Sequence, residues 1–301
     1  METKEGELAE PIHARLFVTG STGELGRRVI SELLLRVSPD RIVAGVRSAD
    51  HEVAKQFVAH GIEIRLADYT KPDTLVAAFQ GIDRLLLISS SADEGRVAQH
   101  ENVINAAKAA KVSLIAYTSL LHADTSSIGF GKDHRQTEAI LAASGIPYAL
   151  LRHGWYMENH LLLIPSALKY GAVLGCAGKG RFSTAARGDL AEAAAVLLTN
   201  ERQAERIYEL AGDESYTLAD FAAAISAAAG KTVDYKDMPE ADYKRTLIDM
   251  KLPEDVAELV ADADTGASKG ELEDNSHQLS ALIGHPTTAW RQAVERAVCA
   301  E

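Results

Sequence analysis

The chain has 301 residues, 47% of them hydrophobic and 25% charged, and 43 acidic against 31 basic side chains give a formal net charge of -12. That length suffices for one to two domains with a sizeable core, and the acidic balance argues against a phosphate-tracking surface, so no nucleic-acid partner is expected. Cys176 and Cys299, the two cysteines, supply neither a disulfide framework nor a thiolate metal site; with no apolar run near the roughly 18 residues of a membrane span and no signal-peptide pattern, a soluble cytoplasmic protein without bound metal is expected.

Residues 1–11 are polar and read as a disordered extension. Short apolar runs at 14–19, 41–46, 62–66, 84–88, 114–117 and 147–152 read as strands, and they alternate with helical patterns at 24–37, 52–59, 74–80, 96–110 and 133–144. Strands that are apolar throughout, separated by helices, call for a parallel sheet covered on both faces. The fold class expected is therefore α/β, a doubly wound parallel-sheet Rossmann domain. After Trp155 the pattern loosens into a helix at 157–170, a glycine-rich stretch at 171–180, an alanine-rich helix at 189–198 and a short strand at 207–210. From residue 213 on, a helix capped by Thr217, a strand at 232–235 and helices at 253–263 and 276–283 suggest a smaller, mostly helical region. The division expected is a nucleotide-binding domain over 12–212 and a substrate-capping domain over 213–301, with parts of 154–180 joining the second.

The sharpest motif is Thr19-Gly20-Ser21-Thr22-Gly23-Glu24-Leu25-Gly26, set between the first strand and the first helix. Glycines at this spacing let the backbone turn tightly and approach a pyrophosphate, whose charge the helix N-terminus favours. A purely structural glycine turn is the competing reading. At the end of the second strand, where an acid would select NAD, the sequence has Val46-Arg47-Ser48. A guanidinium pairs with a 2′-phosphate in two-pronged fashion, so Arg47 points to NADPH; a solvated surface arginine is the alternative. Asp68 after the third strand suits either the adenine amino group or a turn. Ser89, Ser90 and Ser91 after the fourth strand suit close passage of the cofactor or a plain polar loop.

These segments, together with 102–108, 115–124, Arg152-His153-Gly154-Trp155-Tyr156 and Ile283-Gly284-His285-Pro286, resemble the NmrA-like branch of atypical short-chain dehydrogenases/reductases over nearly the whole chain. The resemblance implies an NADPH-dependent reductase, nearest to the quinone-reducing members, with triphenylmethane-dye reduction close by. It also implies cofactor contacts from Gly20 to Leu25, Arg47, Ser89 to Ser91, Arg152, His153, Gly154, Trp155, Tyr156 and Arg187. Beside it, Lys179, Arg181 and Arg187 bring cations to an otherwise acidic chain, which a polyanion needs.

Ordinary short-chain dehydrogenases place a Tyr and, four residues on, a Lys on the helix after the fifth strand. With Glu138 as landmark, those positions hold Phe130 and His134. Phe130 cannot ionise. Carbonyl reduction gains much from a positioned acid, whereas a quinone that accepts a hydride becomes an aromatic hydroquinone anion that water protonates. The missing acid therefore suits a small-molecule quinone as the substrate. His134 reads as a nicotinamide- or acceptor-orienting residue or as a surface histidine, and Tyr156 with Trp155 as an aromatic wall or as packing. Tyr117 reads as core and Cys176 as inert. An NADP(H)-binding redox sensor acting through a protein partner is the second function class.

Overall fold

The structure, a computed structural model, describes residues 13–91, 95–201 and 203–300. The expected extension at 1–11 lies outside the described residues. Seven strands, β1 (Leu16–Val18), β2 (Ile42–Val46), β3 (Glu63–Leu66), β4 (Arg84–Leu87), β5 (Leu114–Leu120), β6 (Tyr148–His153) and β9 (Arg206–Leu210), form one parallel sheet in the order β3-β2-β1-β4-β5-β6-β9. The strand order reverses between β1 and β4, so the loops after these strands diverge and leave a crevice at their carboxyl ends.

Successive residues of each strand feed opposite cores. Leu16, Val18, Ala44, Leu86, Ala116 and Leu151 face helices α1 (Glu24–Leu34) and α8 (Arg187–Thr199). Phe17, Val43, Leu85, Leu87, Ile115 and Leu150 face α3 (Pro72–Ala78), α4 (Arg96–Ala109) and α5 (Gly131–Ala143). Burial on both faces is why these strands read as apolar runs rather than alternating ones. The small α2 (Glu52–Ala59) completes the β2–β3 crossover and adds Phe57 to the first core.

The second region is interleaved in sequence. The helix expected over 157–170 is two helices, α6 (Met157–Leu161) and α7 (Ile164–Tyr170). Pro165 sits in the first turn of α7, where its missing N–H costs nothing; continued helix would set its ring against the carbonyl of Leu161. The glycine-rich stretch contains β7 (Ala172–Gly175) and runs into β8 (Arg181–Phe182). β8 pairs with β10 (Tyr216–Thr217), and β7 with β11 (Asp234–Asp237).

Between β10 and β11, α9 (Leu218–Ala229) starts on the expected Thr217 cap: Thr217 Oγ1 accepts from Asp220 N and Thr217 N donates to the Asp220 carboxylate. Then follow α10 (Glu240–Asp249), α11 (Glu254–Ser268), α12 (Gln278–Ile283) and α13 (Trp290–Cys299). Met157, Ile164 and Val173 share a core with Phe221, Ile225, Trp290 and Val294. Among the described residues no helix is long and apolar enough to cross a membrane.

Candidate active site

The loop after β1 is held open as a cradle. Gly20 lies at φ 56°, in the left-handed region that glycine enters without strain. Ser21 is fully buried, and its Oγ donates to the Gly45 carbonyl at 2.9 Å, tying the loop to β2. A Cβ on Gly26 would lie 2.3 Å from the Gly20 carbonyl oxygen and 2.7 Å from Ser21 Cα, so only glycine lets α1 approach the loop this closely. The N-cap of α1 is Gly23, and no side chain caps its first turn. The first N–H groups of that turn are therefore left without a side-chain partner, an arrangement that suits an anion.

A cleft of about 660 Å³ runs along this cradle, lined by Gly20, Thr22, Gly23, Glu24, Leu25, Arg47, Ser89, Ser90, Ser91, Tyr156 and Arg187. Arg47 has no ion-pair partner among the described residues, so its charge is available to an anion. The Glu24 carboxylate, which would repel one, is held by Arg27 at 2.6 Å and Arg28 at 3.7 Å. An uncapped helix start, a glycine-only cradle and an unpaired guanidinium at the ribose end together fit NADPH. His51 and Tyr69 also line the cleft, and sequence reasoning missed both. Tyr69 Oη donates to the Ile88 carbonyl at 2.8 Å and contacts Thr19 Oγ1 at 2.5 Å, stapling the loop after β3 across the crevice.

At its inner end the cleft passes Ile88, Ser89, Ser90, Tyr156 and Arg187 into a second cavity of about 320 Å³. Leu120, Phe130, Trp155 and Leu259 form apolar walls, and Arg96, Thr118, Ser119, His134, His153, Gly154 and Asn159 add to the lining. The Arg187 guanidinium stacks on the Tyr156 ring, 4.3 Å from its centroid, where the two cavities meet. Phe130 meets His134 edge to face.

His134 is buried rather than a surface helix residue, and its Nδ1 lies 2.8 Å from the Tyr117 hydroxyl. Burial, and then the nearby Arg96 charge, lower the His134 pKa to about 3, and burial raises that of Tyr117. Both are neutral at pH 7. This pair therefore does not supply the Tyr–Lys acid chemistry that the helix elsewhere carries. Tyr117 is a core residue, as read, whose hydroxyl reaches the site through His134.

His153 Nε2 is the only fully buried side-chain nitrogen or oxygen without a partner among the described residues. Leaving such a group unsatisfied costs about 1–3 kcal/mol. Its Nδ1 is 3.4 Å from the Tyr156 hydroxyl, and burial lowers its pKa to about 3.

Arg96 carried no motif that marked it. It opens α4 and is only 8% exposed, and its Nε donates to the Ser90 carbonyl at 3.0 Å while Nη1 donates to Asp133 at 3.3 Å. Its place in the wall is set by the turn at Gly95, which has φ 76°.

Several expected residues lie elsewhere. Arg152 is not in the cleft: its guanidinium is caged by Glu138 at 2.8 Å, Glu209 at 2.9 Å and Asp124 at 3.0 Å. Along β6 its side chain points to the α5 face, opposite to His153. Ser21 supports the loop from beneath and does not line the cleft. Arg181 is engaged by Ser215, Glu273 and Asp220 away from the cradle. Asp68 Oδ1 accepts from Thr70 N and Oγ1, a turn residue on the cleft's rim. Cys176 has its thiol pushed up to about 12 by burial, consistent with the inert reading.

The NmrA-like family model matches residues 13–287. Quinone oxidoreductase 2 of Escherichia coli (strain K12) is 49% identical over 277 residues, 92% of this chain and 96% of that protein. The crystal structure of an NADPH-dependent quinone oxidoreductase from Escherichia coli complexed with NADPH superposes with a TM-score of 0.91 at 48% identity, covering 93% of this chain and 99% of that one. Triphenylmethane reductase of Citrobacter sp. complexed with NADP(H) superposes with a TM-score of 0.89 at 35% identity, covering 94% and 99%. With the model spanning most of its length and a relative near half identity, the chain belongs to the NmrA-like family.

Proposed function

We propose that the chain is an NADPH-dependent quinone oxidoreductase that reduces quinones by two electrons. The observation that carries this is the second cavity: a pocket with Phe130 and Trp155 in its walls opens directly from a cradle suited to NADPH, and the position of the usual tyrosine acid holds Phe130. Assignment to NADPH is supported by Arg47, to the pyrophosphate by Gly20 to Leu25, and to the nicotinamide end by Ser89 to Ser91, Tyr156 and Arg187. NADPH when bound supplies the hydride. The chain's own part is to orient the two rings and exclude water between them. Arg187 stacked on Tyr156 stands where the cofactor cleft and the acceptor pocket join, and His134, fixed by Tyr117, lines the pocket. One wall of the pocket comes from Leu259 on α11, which supports the division into a cofactor domain over 12–212 and a capping domain over 213–301, with parts of 154–180 joining the second.

A steady-state assay following NADPH absorbance with 1,4-benzoquinone, beside calorimetric titration with NADPH, tests this. Saturable turnover above the uncatalysed rate is expected. Tight NADPH binding with no turnover on benzoquinone or on a triphenylmethane dye would instead leave the redox-sensor reading.

A further inference from the structure

Two-electron reduction of a quinone places a full negative charge on the acceptor before a proton arrives. The net step consumes one NADPH, one quinone and one solvent proton and yields NADP⁺ and hydroquinone; until that proton is taken up the product is a monoanion. Against the apolar walls of Leu120, Phe130, Trp155 and Leu259 the anion loses part of its hydration, so a fixed positive charge in the same pocket would favour it. Phe130 offers no proton, and His134, neutral, is hydrogen-bonded through Nδ1 to the Tyr117 hydroxyl.

We propose that Arg96 is a catalytic residue of this site, a fixed cation that holds the hydroquinone anion as it forms. The inference rests on the quinone-reductase reading above. Three features single Arg96 out. It lines the acceptor pocket and is 8% exposed, so its field is little screened by solvent. Its Nε is anchored on the Ser90 carbonyl at 3.0 Å, so the guanidinium is held in place before substrate arrives.

The third feature is incomplete neutralisation. Asp133 at 3.3 Å is its single carboxylate partner among the described residues, and that side chain is partly exposed. Arg152 differs: it meets three carboxylates. The other cation of the pocket, Arg187, likewise has one carboxylate partner, Glu158 at 3.3 Å, but its side chain is twice as exposed as that of Arg96 and its guanidinium is already engaged by Asn159 and the Tyr156 ring. His134, His100 and Tyr117, the titratable groups of α5, α4 and β5 beside Arg96, all feel its charge, which therefore reaches the pocket wall.

The test uses the enzyme with NADP⁺ bound and 4-nitrophenol as a probe whose phenolate absorbs in the visible. Bound to the wild type, the phenol is expected to titrate about one unit or more below its free value. Arg96→Gln should abolish that shift, and Arg96→Lys should retain part of it. With benzoquinone, Arg96→Gln should lower kcat about 100-fold while NADPH affinity stays within twofold. Should the glutamine variant fail to fold, Asp133→Asn serves instead: removing the counter-charge should deepen the shift. An equal titration of bound probe in wild type and Arg96→Gln, no binding of the phenolate to the wild type, or an unchanged shift in Asp133→Asn would overturn the proposal. Wild-type enzyme that never reduces benzoquinone defeats the function itself, a result separate from these.

Discussion

Arg152→Met separates a structural cage from a cofactor contact. The guanidinium ties β6 to Glu138 of α5 and to Glu209 of β9, whose side chains are 11% and 17% exposed, while Asp124, 64% exposed, adds little. Glu138 Oε1 also accepts from Ser119 Oγ, and Glu209 Oε2 from the His122 N–H, so one residue organises the carboxyl ends of β5, β6 and β9. Removing it leaves two largely buried carboxylates facing each other, which costs about 3–5 kcal/mol. At an unfolding entropy near 2.1 cal/mol/K per residue, 301 residues give roughly 0.6 kcal/mol/K, so Tm should fall by about 5–8 °C. Converting Glu138 and Glu209 to glutamine in the same variant should recover part of the loss. Calorimetric or urea unfolding reads the stability, and NADPH titration well below the transition reads the site. NADPH affinity within about threefold of wild type is expected, since the side chain points away from the cleft. A stability loss under about 1 kcal/mol, or unaltered stability with NADPH binding lost, would refute the cage.

Other outcomes follow from the same geometry. Arg47→Glu should shift the ratio of NADPH to NADH affinity toward NADH by tenfold or more, because a charge-assisted pair is replaced by repulsion; an unchanged ratio removes Arg47 from the 2′-phosphate. His134→Ala should lower kcat with NADPH affinity little changed and should cost about 1–3 kcal/mol, because the Tyr117 hydroxyl loses its partner; wild-type kinetics would return His134 to a packing role. Asp264, buried on α11, has its pKa raised to about 7 by burial. The unfolded chain gives up that proton first, so between about pH 4 and 7 the native state holds more protons and stability falls as pH rises. Asp264→Asn, which still accepts from Cys176 N, should shrink the stability difference between pH 5 and pH 8 by roughly 2–3 kcal/mol; an undiminished difference would contradict the buried-acid assignment.

The first half of the fold is legible because its signals are local. Apolar runs bounded by turn residues mark the strands, and the glycine loop between β1 and α1 marks the cradle, since Gly20 takes a positive φ and Gly23 and Gly26 answer contacts within six residues of them. The end of β5 was legible only in part: Thr118 and Ser119 look like loop, yet they continue the ladder opposite Leu151 and Arg152. Long-range arrangement is what the sequence hides. Arg152 stands between apolar Leu151 and site-lining His153, and strand alternation alone sends it to the α5 face. Its three carboxylate partners come from distant segments. Arg96 is one more charged residue at a helix start until the chain folds it against Ser90 and Asp133. Likewise the break at Leu162–Leu163 follows from Pro165, but the pairing of β7 with β11 across some sixty residues has no local signal.

Single-turnover reduction of 1,4-benzoquinone by the enzyme loaded with NADPH deuterated at one or the other face of C4 tests the central claim most directly. One hydroquinone per NADPH is expected, with slowing by one label and not the other and no semiquinone signal by electron paramagnetic resonance. A semiquinone signal, or equal rates with both labels and with unlabelled NADPH when chemistry limits the turnover, would contradict direct two-electron transfer in this pocket.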